Sequence, residues 1–138
     1  MSKLQAFLKP IETKKTKEVV VSNRYVDEKG NPVPLTIQTI SQSENNKLIR
    51  LSMHTNKNKG EIYETINRLQ YQARLIVASV VDPDFTNKEL CDNYGVVDPL
   101  DVPAKMFLVG EYVRLVEEIM ELNDFDDTDI LNDEAKNS

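Results

Sequence analysis

The 138-residue chain has no tryptophan, one cysteine, one histidine and four glycines. Each scarcity removes a class of function. One cysteine, Cys91, excludes an internal disulfide and fits a reducing compartment. With His54 as the only imidazole, a zinc site would also need two carboxylates, and no spacing suggests them. A dyad of Cys91 and His54 would still lack an orienting group and an oxyanion site. The polar neighbours of His54 suit a surface residue, and Cys91 beside Leu90 suits a half-buried structural thiol. Gly30, Gly60, Gly95 and Gly110 lie too far apart for a phosphate-binding loop, and each marks a turn or a cap. The pairs Glu117-Glu118 and Asp126-Asp127 fall on exposed or flexible stretches, where a carboxyl tuned for acid catalysis is not expected. A calcium loop begun at Asp124 fails as well. Its sixth residue is Asp129 and its twelfth Ala135, where Gly and Glu are needed. The reading is therefore no enzyme, no metal and no cofactor.

Long apolar runs are missing too. None approaches the roughly 18 residues that cross a bilayer. The opening MSKLQAFLKP has no continuous apolar core and no small-residue cleavage site, so it does not read as a signal peptide. The expected compartment is the cytosol. The net charge of −6 is unevenly spread. Residues 1–60 carry 11 Lys/Arg against 5 Asp/Glu, or +6; residues 61–138 carry 6 against 18, or −12. The cluster Lys9, Lys14, Lys15, Lys17 lacks interleaved aromatics or Arg, so it reads as a solvated arm rather than a nucleic-acid contact.

What is present fits one domain, large enough to bury roughly two-thirds of its unfolded surface. The organising stretch is Glu61 to Val81. Ile62, Ile66, Leu69, Ala73, Ile76 and Val80 recur at helical spacing, which predicts one helix over 61–81 with that stripe buried. Tyr63, Tyr71 and Val77 widen the apolar face. The end Leu75–Val81 is apolar almost all round and belongs in the interior. Asp82-Pro83 ends the helix.

Residues 1–16 read as a flexible basic arm. Leu4, Phe7 and Leu8 share one side of a short helical turn, and either fold back on the core or order against a partner. Residues 17–122 form the globular part. A β-hairpin is predicted over 18–40, with its reversal at Asp27–Pro32. A lone hairpin is marginal in water, so it must pack on a helix or a strand, and its free edge can accept another chain. Capping boxes at Ser41–Glu44 and Thr86–Glu89 open helices over 41–56 and 86–94. Gly95 stops the second of these. Asp98-Pro99 starts a helix over 99–109, strained by Pro103. Gly110 hinges into a helix over 111–122, where Tyr112, Leu115, Ile119 and Leu122 make the stripe that partners the central helix. Residues 123–138 form an acidic tail with only Phe125, Ile130 and Leu131 as large apolar residues. The fold class is α+β: a mostly helical small single domain, one N-terminal antiparallel β-hairpin packed on a helical bundle, and flexible termini.

Three segments in this order resemble one known family. They are VSNRYVDEKGNPVPLTIQTIS, LIVASVVDPDFTNKELCDNYGVVDP, and KMFLVGEYVRLVEEIMELNDFDD with the terminus DEAKNS. The chain is similar to phage tail assembly chaperones, the XkdN-like group of phages and prophages of Gram-positive bacteria. That resemblance implies a non-enzymatic assembly factor in the host cytoplasm. It would bind the tape measure protein, keep it soluble, help recruit tail tube protein, and be absent from the mature virion. It implies neither membrane nor nucleic acid as a partner. Members are often made in two forms, so a longer frameshifted form of the chain is a further partner. Lys136-Asn137 is encoded AAR-AAY, and an Ala135 codon ending in A would complete a slippery run, A-AAA-AAC. Candidate contacts are Phe7 and Leu8 in the arm, the hairpin edge, and Phe125, Ile130 and Leu131 in the tail, each of which could instead pack within the chain. The alternative function is a structural tail or connector component of the virion.

Overall fold

Among the residues that the computed structural model describes, 3–8 and 14–125, strand β1 (Thr16–Val19) pairs antiparallel with β2 (Leu35–Gln38). Helix α1 (Lys3–Leu8) precedes them. The hairpin ladder runs only from Thr16↔Gln38 to Val19↔Leu35. Beyond it Val21 is buried, and Val26 meets Pro32 in an isolated bridge. The reversal is held by the Asp27 carboxylate, which accepts from the Lys29 and Asn31 amides at 2.8 and 3.0 Å. Gly30 there takes φ +81°, a conformation that costs glycine nothing.

Three expected helices are corrected, two of them in the stretch from 41 to 81. The helix expected over 41–56 is α2, Gln42–Leu51, and the Ser41 Oγ cap on the Glu44 amide is present at 3.1 Å. It stops because buried Ser52 turns its hydroxyl back to the Leu48 carbonyl at 2.7 Å. The helix expected over 61–81 is three elements. Strand β3 (Met53–Asn58) pairs with β4 (Glu61–Ile66) as a second antiparallel hairpin. Lys59 and Gly60 join them with φ +53° and +86°. Two consecutive positive φ values suit a tight reversal whose twist matches the strands. Helix α3 (Arg68–Ser79) follows, capped by Asn67 Oδ1 on the Gln70 amide at 3.1 Å. Its last residue leads into β5 (Val80–Asp82), which pairs along the other side of β2. The sheet order is therefore β1-β2-β5, and β2 is interior.

The buried face of α3 is Tyr71, Leu75, Ile76 and Ser79, rotated from the expected stripe. Of that stripe only Ile76 and Val80 are buried, while Ile62 and Leu69 are exposed. Tyr71 wins the interior because its ring is wholly buried while its hydroxyl reaches Asn45 Oδ1 at 2.5 Å.

Helix α4 (Lys88–Asn93) is capped by Asn87, one residue later than expected. Thr86 instead gives its hydroxyl and amide to Asp84. Cys91 is buried, its thiol 3.4 Å from the Phe85 carbonyl, and His54 is exposed on β3. Asp98 caps a single 3₁₀ turn, Pro99–Asp101, that runs into α5 (Val102–Met106). The helix expected over 99–109 therefore breaks at Phe107, whose backbone is extended. Helix α6 spans Val109–Leu122 and takes in Gly110, so the expected hinge at that glycine is not there. Leu115, Val116, Ile119 and Met120 of α6 meet α3 and the sheet in one core. The class is α+β, with helices in the majority.

Candidate functional site

The break at Phe107 builds the site. Phe107 buries its ring edge-on to Phe85 and Tyr25, with centroids 6.4 and 6.2 Å apart. That rotation leaves the Met106 carbonyl without its helical partner. Arg24 Nη2 and the Tyr25 hydroxyl supply replacements, donating to it at 2.9 and 2.6 Å. Tyr94 donates its hydroxyl to Tyr25 at 3.1 Å, and burial, then that contact, pushes the Tyr94 phenol up to about 12. Arg24 also lies over the Tyr25 ring, 5.1 Å from its centroid.

The start of α6 is fixed in the same place. Leu108 has no side-chain acceptor to offer its helix, but the Glu111 carboxylate reaches back to the Leu108 amide at 2.8 Å. Arg24 grips the same carboxylate with Nη2 at 2.6 Å and Nε at 3.2 Å. Arg24 foremost, then Ser22 and the Leu108 amide, hold Glu111 down to about 2. The segment after β1 and the start of α6 are thus tied together through Arg24 and Glu111.

With Phe107 turned inward, the helices around it leave a groove of about 600 Å³ open to solvent. One wall is α3 and its cap, where Leu69 and Ala73 stand among the polar Asn67, Gln70 and Gln72. The opposite wall is Val109, Tyr112 and Val113 of α6. Leu100 and Ala104 close one end, and Phe107 forms part of the floor. Burial in this wall raises the Tyr112 phenol. Leu69 is 78% exposed and Val109 84% exposed, and Leu108 and Val113 add apolar surface beside them. Among the described residues, the only charged ones lining the groove are Asp98 and Asp101. A volume of this size, apolar walls and a small polar rim are the features of a recognition cleft.

A second, smaller hollow of about 340 Å³ lies between α2 and α3, lined by Leu48, Leu51, Val77 and Leu100. Leu100 faces both. Among the described residues no group of three or more His, Cys, Asp or Glu is placed to hold a metal ion. No described helix is long and apolar enough to cross a membrane.

The residues picked from the sequence scatter. Phe7 and Leu8 are exposed on α1, and every residue of that helix is solvent-facing. Among the described residues the hairpin has one free edge, β1, because β5 covers the far side of β2. Phe125 is half-buried against the core, its amide on the Met120 carbonyl at 3.0 Å. Ile130 and Leu131 lie outside the described residues. The groove itself was missed, since Leu69 and Ala73 were assigned to a buried stripe. The signal that separates them is Tyr71 and Leu75, which compete for the same interior face two residues later.

Comparison with known proteins agrees with the sequence resemblance. Residues 4–136 match the family described as phage XkdN-like tail assembly chaperone protein, TAC. The chain is 32% identical over 133 residues to the phage-like element PBSX protein XkdN of Bacillus subtilis (strain 168), covering 94% of this chain and 88% of that one. It is 33% identical over 124 residues to the uncharacterized protein YqbN of the same organism, covering 87% and 83%. The crystal structure of YqbN superposes with a TM-score of 0.72 at 29% identity, over 88% of this chain and 96% of that one. With nearly its whole length matched, the chain belongs to the XkdN-like family of phage tail assembly chaperones.

Proposed function

We propose that the protein acts without catalysis, binding the phage tape measure protein through the groove between α3, α5 and α6. It keeps that client soluble and helps recruit tail tube subunits around it. It works in the cytoplasm of the bacterial host and leaves before the virion is complete. A longer frameshifted form of the chain is a further partner in this proposal.

The observation that carries the reading is the groove: leucine and valine side chains held open to water between packed helices. Exposed apolar surface of this kind marks a place where another chain is covered. A long client with apolar helical segments would fill it in the manner of a helix in a groove. The tail contacts at Phe125, Ile130 and Leu131 belong to the same proposal.

Co-expression with the tape measure protein encoded downstream tests it. The client should become soluble and co-purify, and purified particles should lack the chaperone. Abundance in mature virions would favour a structural tail or connector role instead. Removing residues 124–138 asks whether the tail shares the contact. The frameshift has its own check in the gene: a Lys136 codon AAG, or no slip site nearby, counts against a longer form.

A further inference from the structure

The first helix has no place in the core. All six residues of α1 are exposed, and Leu4, Phe7 and Leu8, at i, i+3 and i+4, form one bare apolar face. A helix of six residues does not hold together alone in water, because nucleation is unfavourable and few bonds follow it. It needs a surface. That face is flanked by positive charge, Lys3 at its start and Lys9 just after it, with no acidic residue before Glu12. The groove carries the complement: apolar Leu69, Ala73, Val109 and Val113, and, among the described residues, Asp98 and Asp101 as its only charged lining.

The chain's own α1 is poorly placed to fill its own groove. Glu118, Arg114 and Glu111 fasten Lys17, the Val21 carbonyl and Arg24 along one side of α6. Val109, Tyr112 and Val113 open on the other side. Lys15 is already pinned, exchanging hydrogen bonds with Thr39 at 2.9 Å, and the next residue, Ile40, binds Asn123 beyond the far end of α6. From there the path to the groove runs about 15 Å along α6 and half-way round a helix about 10–12 Å across, some 22–24 Å in all. The seven steps from Leu8 to Lys15 span at most about 23–25 Å when fully stretched, so the arm reaches its own groove only with no slack left. A second copy meets no such limit.

We propose that α1 of one copy docks, Leu4, Phe7 and Leu8 inward, in the groove of a second copy, with Lys3 set toward Asp98 and Asp101. The contact is heterologous. It either closes by reciprocal exchange into a dimer or runs head to tail. Self-association and client capture then compete for one groove. The self-contact stands on α1 and the groove alone and does not rest on the client reading.

Sedimentation of the full chain over a concentration series tests it, with Phe7→Asp and Leu69→Asp as variants. Both positions are solvent-facing, so both variants fold. The wild type should self-associate. Each variant should weaken association at least about fivefold, the loss expected when most of one phenylalanine or leucine side chain stays in water. An equimolar mixture of the two should recover a heterodimer, because Phe7→Asp keeps its groove and Leu69→Asp keeps its helix. A wild type that stays monomeric at its highest soluble concentration overturns the proposal. So does a mixture that fails to pair. The self-contact is read on the chain alone, with no client present, so a failed self-contact and a failed client reading give different results.

Discussion

Leu69→Asp is the sharpest perturbation of the proposed client groove. Leu69 is 78% exposed, so the free protein loses little packing when it is replaced; surface changes of this kind stay within about 0.5 kcal/mol. The site is also the second residue of α3, a helix with no acidic residue in its first turn. An aspartate there faces the positive end of the helix and adds about 0.3–1 kcal/mol of stability. Thermal unfolding should therefore be unchanged or slightly raised. Binding should respond in the opposite direction. Covering a leucine side chain contributes about 1.5–3 kcal/mol, and some three-quarters of this one is still open, so roughly 1–2 kcal/mol is at stake. That is about five- to thirtyfold in Kd before the cost of burying a carboxylate is added. The assay is the soluble yield of co-expressed tape measure protein, with the pulled-down amount measured beside it. Val97→Asp is the control, since Val97 is 99% exposed and lies outside the groove. Wild-type capture by Leu69→Asp, or an equal loss in Val97→Asp, would refute the placement of the client.

Three further outcomes test the scaffold. Phe85→Ala removes a fully buried ring that meets Phe107 edge-on, and denaturant unfolding should show a loss of about 3–5 kcal/mol. Ser41→Ala deletes the cap on the Glu44 amide and should cost about 1 kcal/mol in the same measurement. Glu111 sits near 2 in the folded chain against an ordinary value of 4.5. Its contribution is thus complete above about 4.5 and is lost as pH falls toward 2, so the acid limb of a melting-temperature profile should be shallower in Glu111→Gln.

How much of this was legible in the sequence depends on which signals compete. The α6 stripe was legible in part: Leu115 and Ile119 are buried as expected, but Val116 and Met120 share that face, while Tyr112 and Leu122 are only half-buried. The stretch 61–81 was misread because Ile62 and Ile66 sit four apart, which satisfies a helix, while Tyr63, Thr65 and Ile66 equally favour a strand. The deciding marks were small. Lys59-Gly60 is a two-residue reversal between β3 and β4, and Asn67 is a helix cap inside the supposed helix. The strand β5 was hidden for another reason. Val80 continues the apolar run of α3, and only its pairing with Ile37, distant in sequence, makes it extended. The family resemblance did not depend on these boundaries, since it rests on the order of segments along the chain.

The groove was the least legible part, and its origin explains why. Periodicity identifies apolar residues but assumes that each helix continues until a breaker stops it. Gly110 looked like that breaker and is helical; Phe107 looked helical and is the break. What decides is where a large ring can be buried. Phe107 gains contact with Phe85 and Tyr25 only by leaving the helix, and Arg24 and Tyr25 satisfy the carbonyl that this frees. Once the chain bends there, Leu108 and Val109 can no longer turn toward the core, and α3 is left with Leu69 and Ala73 uncovered opposite them. The open apolar walls are therefore a consequence of satisfying the aromatic cluster and not a separate feature added to a finished core. A substitution that let residues 102–122 run as one helix would close the groove while leaving every groove residue in place.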